Sequence, residues 1–142
     1  MRWVEYFRNL AHQVKLKSKD NKTQIGAIIV GKDKEIVSTG YNSFPRGLKD
    51  NKKSRQERPE KYYWFEHGER NAIYNAARIG VSTKGCTMYL SCGIPCVDCA
   101  RGIINSGITR IFCERGTTTK GKHWEENYER SWEMLEEAGI NI

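Results

Sequence analysis

The spacing of apolar residues along the chain predicts an alternation of helices and strands. Near the N-terminus apolar residues recur at helical spacing from Trp3 to Val14, which predicts a first helix that reaches about Lys17. The apolar run from Gln24 to Val30 is typical of a buried strand. A polar turn at residues 31–34 separates it from a second run, Glu35 to Tyr41, so we expect the two runs to pair as an antiparallel hairpin.

The pattern changes after this hairpin. Residues 42–62 contain few apolar side chains and predict a long loop, and loops of that length in a compact domain usually serve a function. Helices and strands are expected to alternate after it. In chain order they are a helix from His67 to about Ile79, a strand from Thr87 to Ser91, a helix from Cys96 to about Ser106, a strand from Arg110 to Cys113, a basic loop from Arg115 to Lys122 and a helix from Trp124 to Glu137 that buries Tyr128, Trp132 and Leu135. This order predicts a single α/β domain over residues 1–142, with a mixed sheet covered by helices on both faces.

Two short motifs lie where helices are predicted to begin. His67-Gly68-Glu69 opens one helix, and Pro95-Cys96-Val97-Asp98-Cys99 opens the next. Cys96 and Cys99 are three residues apart, so both sulfurs face the same side of the first helical turn. One imidazole and two thiolates make a zinc site with an open fourth position, which distinguishes a catalytic zinc from a structural one. The two motifs in this order are typical of zinc-dependent base deaminases.

Glu69 has a different predicted role from His67. On a regular helix the two side chains lie about 200° apart, so they can reach one pocket only at a helix mouth. His67 is therefore expected to bind metal, and Glu69 to approach the reacting water without binding metal. Zinc lowers the pKa of bound water toward neutrality, and a carboxylate beside it can move protons to the ring nitrogen and the departing amine. The motifs predict a hydrolytic deaminase with Glu69 as its catalytic residue.

The other cysteines leave an alternative open. A C-x-x-C pair alone also occurs in structural zinc sites and redox pairs, and a fourth cysteine would close the zinc site. Cys86 and Cys113 belong to apolar, strand-like stretches and are expected to be small core residues. Cys92 stands four residues before Cys96, where it competes as a ligand or acts as a reactive thiol.

Composition limits which cellular compartment and which binding partners can be predicted for the protein. The chain has five cysteines, no apolar run approaching the ~20 residues of a membrane span, and no signal-peptide core at its N-terminus. These features predict a cytoplasmic protein that does not bind membranes. Part of the net charge of +7 is concentrated between Arg46 and Lys61, which fits a nucleic acid, a phosphorylated small substrate or a solvated surface.

Several segments carry a resemblance that covers nearly the whole chain. The sequence resembles the cytidine deaminase-like superfamily and, within it, the deoxycytidylate (dCMP) deaminases. The Gly-Tyr-Asn turn, the Pro-x-Gly after it and the long insertion before His67 are similar to the dCMP group in particular. The segments concerned are residues 24–30, 40–47, 67–73, 95–100 and 106–108. The resemblance implies a cytidine deaminase-like three-layer α/β/α fold with a mixed central sheet, and hydrolysis of dCMP to dUMP and ammonia for thymidylate synthesis.

The resemblance also implies roles for single residues. The Zn²⁺ ligands would be His67, Cys96 and Cys99. Glu69 would shuttle protons, Asn42 would hydrogen-bond the sugar or base, and the backbone N–H of Gly68 would meet the pyrimidine carbonyl. Gly68 departs from the alanine usual in the family, and the run from Leu90 to Pro95 is one residue longer than usual. A homo-oligomer, often a hexamer, with dCTP activation and dTTP inhibition is implied as well.

The phosphate and base contacts are less constrained. A monophosphate prefers cationic or N–H donors, and the arginine fork above all. Among the basic residues on loops that flank the predicted pocket, Arg46 and Arg115 are our candidates. The aromatic run before His67 is expected mainly to pack, but one of its rings, Trp64 in our prediction, can stack on the base.

Two other functions compete with a nucleotide deaminase. A polynucleotide cytidine or adenosine deaminase would hold a backbone on the basic loops and flip the base into the pocket. A zinc-stabilised nucleotide- or nucleic-acid-binding module would have no chemistry, but it would also have no use for Glu69. We therefore predict a small nucleotide as the substrate in preference to a nucleic acid.

Overall fold

A mixed four-stranded sheet forms the centre of the molecule, and the computed structural model describes residues 1–114 and 122–142, with only the backbone of residues 122 and 123. The strands are β1 (Gly26–Val30), β2 (Ile36–Tyr41), β3 (Thr87–Leu90) and β4 (Arg110–Phe112), in the order β2-β1-β3-β4. Strand β1 runs antiparallel to β2 and β3, whereas β3 and β4 are parallel. The predicted mixed sheet and hairpin are confirmed.

The described residues also form five α-helices. They are α1 (Trp3–Val14), α2 (Lys61–Trp64), α3 (Gly68–Ile79), α4 (Val97–Asn105) and α5 (Lys122–Glu137). A 3₁₀ turn at Lys15–Lys17 extends α1 to its predicted end. In the part of the chain that the structure describes, none of these helices combines the length and the apolarity that crossing a membrane requires.

Alternate side chains of β1 pack on opposite faces of the sheet, as strand geometry requires. Ile28 and Val30 belong to a buried cluster with Phe7 of α1. Ala27 and Ile29 belong to the larger cluster that includes buried residues of α3, α4 and α5. The fold therefore has three layers, with α1 on one face of the sheet and the other long helices on the opposite face, as the resemblance implies.

Helix α3 lies directly on β2 because Gly40 has no side chain. A Cβ atom at Gly40 would lie 2.2 Å from the backbone nitrogen of Ala72. The hydroxyl of Ser38, two residues earlier on β2, donates to the carbonyl of Ala72 at 2.7 Å. These contacts hold α3 against β2 at Ala72.

Two local differences from the predicted elements have clear causes. Strand β1 begins at Gly26 and not at Gln24, because the Ile25 N–H donates to the side-chain Oδ1 of Asn42 at 2.8 Å and not to a neighbouring strand. The predicted loop over residues 42–62 contains a 3₁₀ turn at Lys53–Gln56 and the start of α2, which its polar composition did not predict.

Candidate active site

The two motifs lie at the N-termini of α3 and α4, and these two helix ends meet in the fold. His67 is the N-cap residue of α3 and Cys96 that of α4, and neither side chain caps its own helix. The His67 Nδ1 lies 3.5 Å from the Cys96 Sγ and 3.4 Å from the Cys99 Sγ. Two helix starts that are 29 residues apart along the chain therefore bring together the three predicted metal ligands.

These three residues fit a zinc ion. Their donor atoms all lie within 4.8 Å of one another, and two sulfurs with one imidazole nitrogen are a donor set that zinc prefers. Among the side chains of residues 1–114 and 124–142, no fourth cysteine, histidine or carboxylate joins the group. The set leaves one coordination position open, as a catalytic zinc site requires.

Glu69 lies beside this donor set in the interior of the protein. Its side chain is 3% exposed, and its Oε1 is buried without a hydrogen bond to any described residue. Burial raises the pKa of Glu69 above its usual range. A buried carboxyl group with a free oxygen and a raised pKa is suited to exchange a proton with a reacting water.

The two thiols share their protons unequally. A hydrogen bond from Cys99 lowers the pKa of Cys96 to about 4, and the same bond raises the pKa of Cys99. The hydrogen bond with Cys96 also raises the pKa of His67. The negative charge therefore lies first on Cys96, next to the N-terminus of α4, which favours a thiolate.

A cavity of about 410 Å³ opens beside the donor set. Described residues from six parts of the chain form its walls: the loop before β1, the residue after β2, the segment before α3 with its first turn, the turn after β3, the segment after β4, and α5. Those used below are Asn42, Arg58, Lys61, Phe65, Trp124 and Tyr128, in addition to Glu69 and the metal ligands His67 and Cys96.

A buried ion pair forms one wall of this cavity. The Lys61 Nζ lies 2.7 Å from the Asp20 Oδ2, with the two side chains 10% and 4% exposed. Burial alone would raise the pKa of Asp20, but hydrogen bonds from Lys61 and from two backbone N–H groups hold it below its usual range. Asp20 is therefore a carboxylate that neutralises Lys61.

The comparison with known proteins decides the family. Residues 1–115 match the family model described as the "Cytidine and deoxycytidylate deaminase zinc-binding region". The chain belongs to this family. Its cofactor is accordingly Zn²⁺, for which the His67, Cys96 and Cys99 donors form the site.

Relatives and solved structures agree with this membership. A protein of Aliivibrio fischeri named "Uncharacterized deaminase in luxG 3'region" is 36% identical over 141 residues, covering 99% of this chain and 92% of that protein. The deoxycytidylate deaminase of Homo sapiens is 36% identical over 117 residues, covering 79% of this chain and 64% of that protein, so the match spans slightly less than two thirds of the human enzyme. The dCMP deaminase of cyanophage S-TIM5, solved with dCMP and dUMP, superposes with a TM-score of 0.76 at 20% identity over 97% of this chain and 93% of that chain, which shows a shared fold.

Asn42 lines the cavity of this deaminase, but most of its hydrogen-bonding groups are already paired within the protein. Its amide group donates to the carbonyl of Thr23 at 2.7 Å and to Asp20 Oδ2 at 3.3 Å. Its Oδ1 accepts from the Ile25 N–H, which leaves one lone pair for another donor. A contact from Asn42 to a sugar or base stays a prediction, and the amide can only accept in it.

Gly68 is buried at the first position of α3. A Cβ atom there would lie 3.0 Å from the carbonyl oxygen of Ile25, closer than an ordinary van der Waals contact. This close approach accounts for glycine where the resembling family usually has alanine. The predicted role of the Gly68 N–H toward a pyrimidine carbonyl stays a prediction.

Two other residues predicted to contact the substrate lie away from the cavity. Arg46 does not line the cavity, since it donates to the Oδ1 of Asn75 at 2.8 Å on a separate groove. Trp64 does not line it either: the Arg55 guanidinium lies 3.7 Å from its ring centre, on the outside of α2. Arg115 lies outside the described residues.

The sequence did not predict which basic and aromatic residues line the cavity. Arg58 and Lys61 are the basic residues of the cavity wall, and Phe65 supplies a ring from the segment before His67. Tyr128 was predicted to face inward, but its contact with the cavity was not. Trp132 was also predicted to be buried and is only partly so, while its neighbour Ser131 is fully buried.

Cys92 lines the cavity without joining the three metal donors. Burial raises the pKa of Cys92 well above its usual range, so the group is a neutral thiol at neutral pH. Cys92→Ser is therefore expected to keep about one zinc per chain, because three other side chains provide the ligands. Zinc measured by elemental analysis checks this. A zinc content of about half the wild-type value or less would show that Cys92 is a zinc ligand.

Proposed function

We propose that this deaminase hydrolyses dCMP to dUMP and ammonia. The observation that carries the proposal is the open His67, Cys96 and Cys99 site, with Glu69 buried beside it and a cavity of about 410 Å³ in front. A cavity of this size is within the range of small-ligand sites. Relatives named deoxycytidylate deaminases support the choice of dCMP.

Bound zinc acts as a Lewis acid that lowers the pKa of water near neutrality. The free Oε1 of Glu69 takes a proton from the attacking water and delivers it to N3 of the cytosine ring, while the water oxygen forms a bond to C4. The second water proton passes to the exocyclic amine, the C4–N bond breaks, and ammonia leaves. Glu69 ends each cycle as it began.

The cavity walls suit the two ends of a nucleotide. Aromatic rings from Phe65, Trp124 and Tyr128 line the cavity, where a flat base can pack against them. Arg58 and Lys61 supply positive charge on the wall. Asp20 already neutralises Lys61, whereas Arg58 has no salt bridge with the described residues. We therefore propose Arg58 as the phosphate ligand.

Arg58→Gln is expected to lower kcat/KM for dCMP about tenfold or more and to leave deoxycytidine turnover unchanged. The reason is that a charge-assisted hydrogen bond to phosphate contributes about 1.5–3 kcal/mol, and the free nucleoside has no phosphate to lose. Ammonia release measured with both substrates checks this.

Arg55→Gln is the matched control, because Arg55 lies three residues earlier and stacks on Trp64 outside the cavity. Arg55→Gln should change the turnover of neither dCMP nor deoxycytidine. An Arg58 variant that lost activity on both substrates equally would contradict the phosphate contact.

The proposed substrate is tested on wild-type protein with dCMP, CMP, dCTP, deoxycytidine and a cytosine-containing oligonucleotide. Turnover of dCMP in preference to the others is the expected result. Turnover of the oligonucleotide with inert dCMP, falling steeply with salt, would replace the proposal by a polynucleotide deaminase. Turnover of none would favour a binding module.

We also propose that residues 1–142 form one deaminase domain that acts in the cytoplasm as a homo-oligomer. None of the five cysteines forms a disulfide, which supports a reducing compartment. The oligomer, and a response to dCTP and dTTP, follow from the resemblance to dCMP deaminases. Sedimentation measured with and without each triphosphate tests the oligomeric state and its response to dCTP and dTTP.

A further inference from the structure

Helix α4 starts without the side-chain cap that most helices have. The first N–H groups of a helix need acceptors, and Ser, Thr, Asp or Asn at the N-cap normally supplies one. The N-cap of α4 is Cys96, whose side chain forms no capping hydrogen bond. Its sulfur instead faces His67 in the zinc site. A residue that binds zinc therefore cannot also cap the helix that it begins.

Helix α5 supplies the missing acceptor. The Oδ1 of Asn127 accepts from the backbone N–H of Val97, the first residue of α4, at 3.0 Å. Asn127 is 30 residues further along the chain. The cap is thus provided from another helix, and it holds the residue directly after Cys96.

One turn further along α5, a second hydrogen bond holds the residue directly before Cys96. The Ser131 hydroxyl donates to the carbonyl oxygen of Pro95 at 2.6 Å, and Ser131 is 0% exposed. A buried hydroxyl placed on a backbone carbonyl fixes the position of that peptide. The two peptides that flank Cys96 are therefore each tied to α5.

The same face of α5 also reaches the cavity. Trp124 and Tyr128 line it, and they lie three residues before Asn127 and Ser131, respectively, on one stripe of the helix. One helix thus forms part of the substrate wall and holds the backbone of a zinc ligand.

We propose that Asn127 and Ser131 are positioning residues for the zinc ligand Cys96. They fix the backbone on both sides of the sulfur, so that Cys96 is held in place for the metal. Removal of a group that orients a metal ligand typically lowers metal affinity by about 10–100-fold. The proposal concerns the zinc site and does not depend on which nucleotide the enzyme deaminates.

The test measures zinc release from the loaded enzyme to a coloured chelator, with the cobalt(II) absorption spectrum of each variant as a second readout. Asn127→Leu and Ser131→Ala are expected to release zinc about tenfold faster or more and to alter the cobalt spectrum. Asn127→Asp keeps an acceptor oxygen and should release zinc at close to the wild-type rate. Ser131→Ala removes one oxygen atom only, so it carries the test if Asn127→Leu does not fold.

Ser38→Ala is the matched control. Ser38 is also a buried serine that donates to a helix carbonyl, at 2.7 Å, but its acceptor is Ala72 in the middle of α3. It should lower the Tm without a change in zinc release. If Ser131→Ala and Asn127→Leu lowered the Tm but released zinc no faster than Ser38→Ala, the two residues would be structural only and the proposal would be overturned.

Discussion

Glu69→Gln is expected to lower kcat by ~10²–10⁴-fold or more while zinc content and fold stay unchanged. Glutamine has the same shape as glutamate but cannot take up the water proton. The buried Oε1 makes no hydrogen bond to a described residue, so an amide group at that position breaks no hydrogen bond there. Burial raises the pKa of Glu69, which suits a group that exchanges protons near neutrality, and the amide loses this property. Steady-state ammonia release, zinc analysis and a thermal melt measure the three quantities.

Glu114→Gln is the matched control for this substitution. Glu114 also lines the cavity, but its carboxylate is paired 3.6 Å from Arg8 and its side chain is 55% exposed. A loss of no more than a few-fold is expected, since exposed ion pairs contribute little. If Glu69→Gln kept activity near that of Glu114→Gln, the proton-shuttle role of Glu69 would be wrong.

Cys99→Ala is expected to abolish both zinc binding and turnover. Three side chains hold the metal, so the variant retains two, and a ligand set of one thiolate and one imidazole is too weak for a stoichiometric zinc site. Zinc analysis after dialysis should find almost no metal. Added zinc should restore activity to wild-type protein stripped by a chelator, but not to the variant.

Cys86→Ala provides the comparison for the loss of a buried cysteine. Cys86 is 5% exposed in the core and lies outside the metal group. This variant should lose some stability and keep its zinc, because the deleted sulfur is a packing group. Stoichiometric zinc in Cys99→Ala would show that the metal has other ligands.

The sequence by itself determined the order of the elements and the identity of the metal group. Apolar periodicity is a local property, so it fixed the hairpin, the mixed sheet and the long helices. The donors His67, Cys96 and Cys99 could be predicted because short spacing at a helix start sets the direction of each side chain. The same local reasoning separated Glu69 from His67, since residues two apart cannot share a helix face.

Contacts between distant segments were decided only by the tertiary structure. Arg46 and Trp64 are predicted to contact the substrate, but neither lines the cavity, because no periodicity constrains the path of the chain between β2 and α3. Lys61 became a buried residue because Asp20, 41 positions earlier, lies beside it. Asn127 and Ser131 look like ordinary polar positions of an amphipathic helix. They hold the zinc-ligand segment because α5 packs on the start of α4, and such packing depends on the whole folded chain and not on local spacing.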